Sequence, residues 1–475
     1  MSRAHRGGIA ALGATLGLGC ALFAPTPAWK LPPPPAADRP FAREGDLTRA
    51  ELPNGLRVLV HEDHRLPRVS INLTVPRGAA VETAAQAGGV SFMAELLERG
   101  AGKRDALAYA EAVAALGATF GASAEWDSVA IGISGLSRDF DALLALLADP
   151  ALRPRFDAGE VQRARASLLA ALEHAKDDPA TLASWHANRA VYGAHRFALP
   201  VVGTPETAAR LDAKTARDYH RRLFVPNGAI ASVTGDIDAA TAIAALRDRF
   251  GAWRSGPLVD PGPPPPVQAP AQQTITVVDR PDLGQARIVV GHEGISRTDD
   301  DRVAVSLFNL IVGGSGFSSR LMAALRAHEG LTYGVSSAYA MRRAPGPFFA
   351  ATFTRVEKLR PALDILLAEL ERARSAPPGE DELSWARTLA TGSFSMGLET
   401  SDAVTAALVD LDVYGLPEDS LDTYRTRVRA VTPADIAAVA QAHLHPDRAA
   451  IVLVGPATAI VPQLDGLGPV QVVKP

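Results

Sequence analysis

Arg326 and Tyr333 stand seven residues apart, separated by a Gly-Leu turn at Gly330-Leu331. Gly330 suits a helix C-cap, where a left-handed residue costs little. Arg326 then falls in the last turn of a helix, where the dipole favours a cation. A strand is expected to begin at Tyr333, so both side chains can converge on one spot. A guanidinium and a phenol meeting in a cleft can hydrogen-bond a peptide carbonyl and stabilise its developing oxyanion. The same spacing also fits an Arg that only caps a helix and a Tyr half-buried on a strand. Upstream lies a glycine-rich loop, Gly313-Gly314-Ser315-Gly316-Phe317. It lacks a Lys-Ser/Thr ending and dinucleotide spacing, so a phosphate cradle is not expected. Its glycines instead let two backbones approach closely, or hinge the helix that follows.

The run from Gly313 through Leu321, the helix from Met322 to His328 and the segment Gly330-Leu331-Thr332-Tyr333-Gly334-Val335 resemble the C-terminal domain of bacterial insulinase/pitrilysin zinc peptidases. The resemblance extends over Leu47 to Val473. It implies that Arg326 and Tyr333 stabilise a scissile carbonyl, with Gly313, Gly314, Gly316 and Phe317 belonging to the substrate-binding surface. Active members of that family carry H-x-x-E-H on a first-half helix. The two His bind zinc, the Glu is general base, and a later helix adds a second Glu. The matching helix here runs from Gly88 to Gly100. Aligned on Arg99-Gly100, Ser91 replaces the first His, Ala94 the base and Glu95 the second His. Aligned on Pro179, Ala170 and Ala171 occupy the place of the later Glu pair. All three ligands and the base are gone, so no metal is expected in this chain.

Other histidines do not restore a site by spacing. His61 and His64 would point to opposite faces of a strand or lie in a turn. His443 and His445 share a turn without a third partner, and His174, His186 and His220 have no mate at i+4. A surface role is expected for each. Ser91 has no readable His/Asp partner, which argues against a serine nucleophile.

The elements that must position these residues come in two similar sets. Leu223-Phe224-Val225-Pro226-Asn227 followed by the apolar run to Gly235 aligns without a gap on His443-Leu444-His445-Pro446-Asp447 and the run to Gly455. Strands are expected at 57–60, 70–75, 119–124 and 129–134, and again at 275–278, 287–291, 334–339 and 348–353. Helical periodicity is clear over 157–176 and 356–374. Two homologous α+β sandwiches follow, each a mixed, mainly antiparallel sheet covered by helices. They are expected at 47–255 and 273–475, joined by a Pro-rich linker at 256–272.

The chain has 475 residues, 47% hydrophobic and 21% charged, with net charge −4, which gives no support to nucleic-acid binding. Arg3 and Arg6, an uncharged stretch to Ala24 and a small-residue end at Ala28 read as a signal peptide over 1–28. A membrane anchor fits less well because the apolar stretch is short. A Pro-rich leader follows over 29–46. Cys20, the single cysteine, sits in a poor lipoprotein box. A periplasmic protein without a membrane span is expected. The resemblance implies a noncatalytic subunit whose H-x-x-E-H-bearing partner supplies zinc for peptide cleavage. The alternative is a peptide-binding or assembly protein of the same fold, as a homodimer.

Overall fold

The computed structural model describes residues 46–259, 267, 270–376 and 378–475. The expected signal peptide, the leader through residue 45, Cys20 and most of the Pro-rich linker lie outside the described residues.

In β5 (Val129–Leu136) the buried Val129, Ile131 and Ile133 alternate with Ala130, Gly132 and Ser134, the period of a strand with one face in a core. The same alternation organises its neighbours. β1 (Leu47–Glu51), β2 (Arg57–Glu62), β3 (Arg68–Val75), β4 (Thr119–Ala124), β5 and β6 (Ile230–Gly235) form one sheet in the order β1-β2-β6-β3-β5-β4. Its apolar face packs Ile71, Leu73, Ile131 and Ile133 against helices that contribute Met93, Leu97, Leu143 and Leu246.

The second half repeats the plan. β7 (Thr274–Asp279), β8 (Gln285–Glu293), β9 (Val335–Tyr339), β10 (Pro347–Arg355), β11 (Ala450–Gly455) and β12 (Val470–Val473) run in the order β12-β7-β11-β8-β10-β9. Five strands correspond one to one: β2 pairs parallel with β6 as β7 does with β11, and the remaining pairings are antiparallel in both. Glu62 and Asp279 correspond too. Each ends its strand and accepts a backbone N–H from the helix after β6 or β11, from Ala239 (3.1 Å) and Ala457 (2.9 Å). The sixth position differs, being filled antiparallel by β1 in one sheet and parallel by β12 in the other.

Both expected strand sets are present. The expected helices appear as Ala158–Ala175 and, after a 3-10 turn at Val356–Lys358, Leu359–Ser375. No helix among the described residues is long and apolar enough to cross a membrane.

The two halves exchange helices. Pro179–Tyr192 of the first half lays Leu182, Ala183 and Ala187 on Val278, Val289, Val452 and Val454 of the second sheet. Ser401–Tyr414 of the second half lays Val404, Leu408 and Val409 against Leu59 and Ile230 of the first. The equivalent hairpin turns also meet. Arg343 N–H donates to Asp127 (2.9 Å), and the Arg342 guanidinium stacks on Trp126 (4.4 Å) and Phe197 (4.5 Å). Burial lowers the pKa of Arg342 to about 10.

Candidate functional site

Arg326 lies in a wide π-type turn, Ala323–His328, closed by Gly330 at φ 61°. Gly330 N–H bonds Arg326 O (3.1 Å) and Leu331 N–H reaches back to Leu325 O (2.9 Å), which ends the helix as the glycine foretells. The Arg326 guanidinium donates to the Tyr333 carbonyl at 2.8 Å and lies 4.4 Å from the centroids of both the Tyr333 and Phe317 rings. Both rings are three-quarters exposed, 75% for Tyr333 and 74% for Phe317. The pair expected to converge does so, as a cation held between two aromatic faces.

Tyr333 is not the first residue of the strand. β9 begins at Val335, because the Thr332 and Thr352 hydroxyls take the Gly334 carbonyl at 2.9 Å each. Thr354 Oγ1 likewise holds Leu331 O (2.7 Å), so three threonines fasten the turn that presents Tyr333.

The glycine-rich loop divides into two roles. Gly313 is buried, and a Cβ there would lie 2.5 Å from Ser337 Oγ and 2.7 Å from Ser337 N, so it permits a backbone approach to β9. Gly314 faces Asn309, whose amide donates to Ser337 O (3.1 Å) and accepts from Ser337 Oγ (2.8 Å). Gly316 has φ 65° with open space around it, and turns the chain so that Phe317 projects over Arg326.

In the first half, the motif helix is Gly89–Leu97. Ala94 is buried, Ser91 and Glu95 are half-buried, and Ala170 and Ala171 are exposed on the neighbouring helix. Glu95 accepts from Arg99 at 2.7 Å, and Arg99 also faces Glu160 at 3.6 Å. One carboxylate already paired with Arg, a serine and three alanines do not make a zinc-binding donor set. Glu98, beside the motif, accepts the outward Ala122 N–H of the edge strand β4 at 2.7 Å.

The motif helix is itself set by a buried pair that sequence spacing did not reveal. Glu82 accepts from Val90 N–H (2.6 Å) and Gly88 N–H (3.2 Å) and from Arg196 Nη2 (2.6 Å). Burial pushes the Glu82 carboxyl up, against the opposing pull of Arg196. Glu82 and Arg196 are 114 residues apart, so only the fold could join them.

Three histidine expectations need correction. His220 is packed in, not on the surface, its ring stacked on Phe224 and Nε2 3.0 Å from Ala151 O. His61 is buried, not on the surface, with Nδ1 3.2 Å from Thr405 Oγ1 across the halves. His443 does have neighbours: its Nε2 is 2.8 Å from Asp301, with Asp299 close by. Neither that trio nor Glu62–His64–Asp238 includes a motif position.

Residues 57–205 match the family model described as insulinase (peptidase family M16), and residues 210–389 match the peptidase M16 inactive domain. An uncharacterized zinc protease of Streptomyces coelicolor is 26% identical over 402 residues, covering 84% of this chain and 87% of the relative. One of Bacillus subtilis is 22% identical over 357 residues, covering 75% and 86%. Among solved structures, a peptidase M16 inactive domain from Pseudomonas fluorescens superposes with TM-score 0.78 at 26% identity, covering 86% of this chain and 98% of that one. A protease from Helicobacter pylori gives TM-score 0.78 at 18% identity, covering 86% and 99%.

Proposed function

Because the chain belongs to the insulinase (M16) family of peptidases, we propose that it is the zinc-free subunit of a periplasmic two-chain metallopeptidase. It binds peptide and lends Arg326 and Tyr333 to an H-x-x-E-H-bearing partner, which supplies zinc and the general base. The observation that carries this reading is the contrast between the halves. At the positions where the family's motif has its ligands and base, the first half carries Ser91, Ala94, Glu95, Ala170 and Ala171, while the second keeps Arg326 and Tyr333 clustered, exposed and held by a fastened turn. Groups that serve only this chain's stability gain nothing from such exposure.

In this role the Arg326 Nε and Nη2 donors and the Tyr333 hydroxyl face a scissile carbonyl held by the partner, stabilising the charge that develops on its oxygen. Gly313, Gly314 and Gly316 shape the loop, and Phe317 keeps the guanidinium on station. Peptide joins as an extended strand at a sheet edge, through main-chain hydrogen bonds.

The test is peptide cleavage by this chain alone, by a purified H-x-x-E-H chain alone and by the two together. Cleavage only by the mixture, lost on chelation and reduced by Arg326→Ala and Tyr333→Phe, supports the assignment. Chelator-resistant activity of the lone chain would falsify it, as would a mixture indifferent to both variants. A stable homodimer with no gain from any zinc partner would instead favour an assembly or peptide-binding role.

A further inference from the structure

The exchanged helices cover two equivalent sheet faces, and the faces differ residue for residue. On the second sheet the row Val452, Val289, Ala351 is apolar, and its first two members are sealed under Pro179–Tyr192. The corresponding row on the first sheet is Ser232, Asn72, Gly132, with Gly121 extending it on β4. One step along, Val454, Arg287 and Phe353 correspond to Thr234, Ser70 and Ser134. Ser401–Tyr414 covers the β2, β6 and β3 side of this face and leaves β5 and β4 open. A cavity of about 610 Å³ remains between the helix and the strands, within the range of sites for drug-sized ligands.

Two nearly buried residues line this space with hydroxyls that no protein group takes up. Ser232 is 3% exposed and Thr74 is 8% exposed. Neither hydroxyl has a hydrogen-bond partner among the described residues, and both line the cavity. Their oxygens open onto the cavity, where the hydroxyls of an entering ligand can take the place of water. Gly121 leaves its part of the floor open, while the Asn72 amide lies over Gly132, its Oδ1 2.2 Å from where a Cβ would stand, and presents the amide to the cavity.

The lining also selects the ligand. β3, β5 and β6 are each paired on both sides within the sheet, which leaves recognition to side chains. Those are short, uncharged groups, mostly hydroxyls that both donate and accept, with the Tyr414 ring at one end. The two carboxylates at the rim are already neutralised, Asp402 by Arg68 (3.0 Å) and Asp410 by Arg297 (2.8 Å). A charged ligand gains little here, and an apolar one would strand the hydroxyls. We infer that the cavity between the first sheet and the Ser401–Tyr414 helix binds a short, uncharged oligosaccharide. Its hydroxyls pair with Ser232, Thr74 and Asn72, and a ring face rests toward Tyr414.

Isothermal titration of the full chain with maltotriose, cellotriose and chitotriose, and with an uncharged Gly/Ser/Asn hexapeptide, tests this directly. The expected result is saturable binding of at least one trisaccharide, weakened about tenfold or more by Ser232→Ala, Thr74→Val or Asn72→Leu. Amide-exchange protection of β4 and β5 by the same sugar is expected in the unaltered chain, which keeps the test open even if a variant folds poorly. Absence of both heat and protection with all three sugars overturns the proposal. So does sugar binding that all three folded variants retain in full. Binding of the hexapeptide but no sugar, abolished by the same variants, overturns it in favour of a peptide site.

Discussion

Tyr192 and Tyr414 occupy the same place in the repeated plan, and each hydroxyl reaches the hairpin turn of the opposite half. Both end an exchanged helix within a Val-Tyr-Gly sequence. Tyr192 donates to Pro345 O at 3.1 Å and Tyr414 to Asp127 Oδ2 at 3.3 Å. The halves are thus joined twice by the same device, once in each direction.

Removing either hydroxyl should weaken that junction modestly. Tyr192→Phe and Tyr414→Phe are each expected to cost about 0.5–1.5 kcal/mol, with the aromatic packing kept. Urea unfolding with one cooperative transition checks this. A variant in which the halves melt separately at wild-type total stability would contradict the coupling.

The Glu82–Arg196 pair should matter far more, because both side chains are buried, with 0% and 5% exposure. Glu82→Gln leaves a buried guanidinium without a counter-charge, at a cost of about 3–5 kcal/mol. The double replacement Glu82→Leu with Arg196→Met should cost much less than the two single changes summed. Additive losses would mean that the pair is not coupled.

Glycines of the same loop should respond differently to alanine. Gly313→Ala forces a methyl onto Ser337 and is expected to destabilise by about 1–3 kcal/mol. Gly316→Ala meets no atom and pays only for its left-handed backbone, about 1 kcal/mol. Thermal melting of both variants decides between steric and conformational roles.

Arg326→Ala should separate stability from activity. Its side chain is held by two exposed rings, so melting should move little, within about 0.5 kcal/mol. Cleavage by the reconstituted pair should fall by about 10²–10³ in kcat, the scale for one lost oxyanion donor. Equal losses in both measurements would make Arg326 a structural residue.

Mild acid should destabilise the fold. Burial holds His220 and His292 down to about 4 from an ordinary 6.5. His220 Nε2 bonds Ala151 O, and His292 bonds Glu293 O while accepting from His445 N–H. The folded chain keeps both rings neutral while the unfolded chain takes up protons below 6.5. Stability is therefore full above that pH and declines as pH falls toward 4. The urea midpoint should drop between about pH 7.5 and pH 5, less steeply in His220→Gln. A flat profile would contradict the assigned burial.

Much of this was legible locally. β4 occupies its expected residues because Gly117 and the 125–128 turn bound it on both sides, and Gly330 announced the end of the Arg326 helix. Where long-range contacts decide, the sequence was mute. β1 and β12 carry weak apolar patterns and exist because β2 and β7 offer an open edge. Nothing near His61 foretells Thr405, and nothing near Glu82 foretells Arg196. Tyr333 was placed on a strand because its neighbours favour one. Hydroxyls of Thr332 and Thr352, the second 18 residues beyond the Gly334 carbonyl it takes, delay that strand to Val335. The face bearing Ser232 and Asn72 is polar at alternate positions, and only the fold brings a helix from the other half over part of it.

The exchange of helices makes the covalent connection between the halves mechanically redundant. Each half carries a piece of the other's hydrophobic interior, so a protease that nicks the Pro-rich connection should leave the fragments bound together under native conditions. A half expressed alone would leave its sheet bare and its own helix without a seat. Each sheet is thus roofed by chain from the other half, so the two halves hold one another through packing as well as through the link between them.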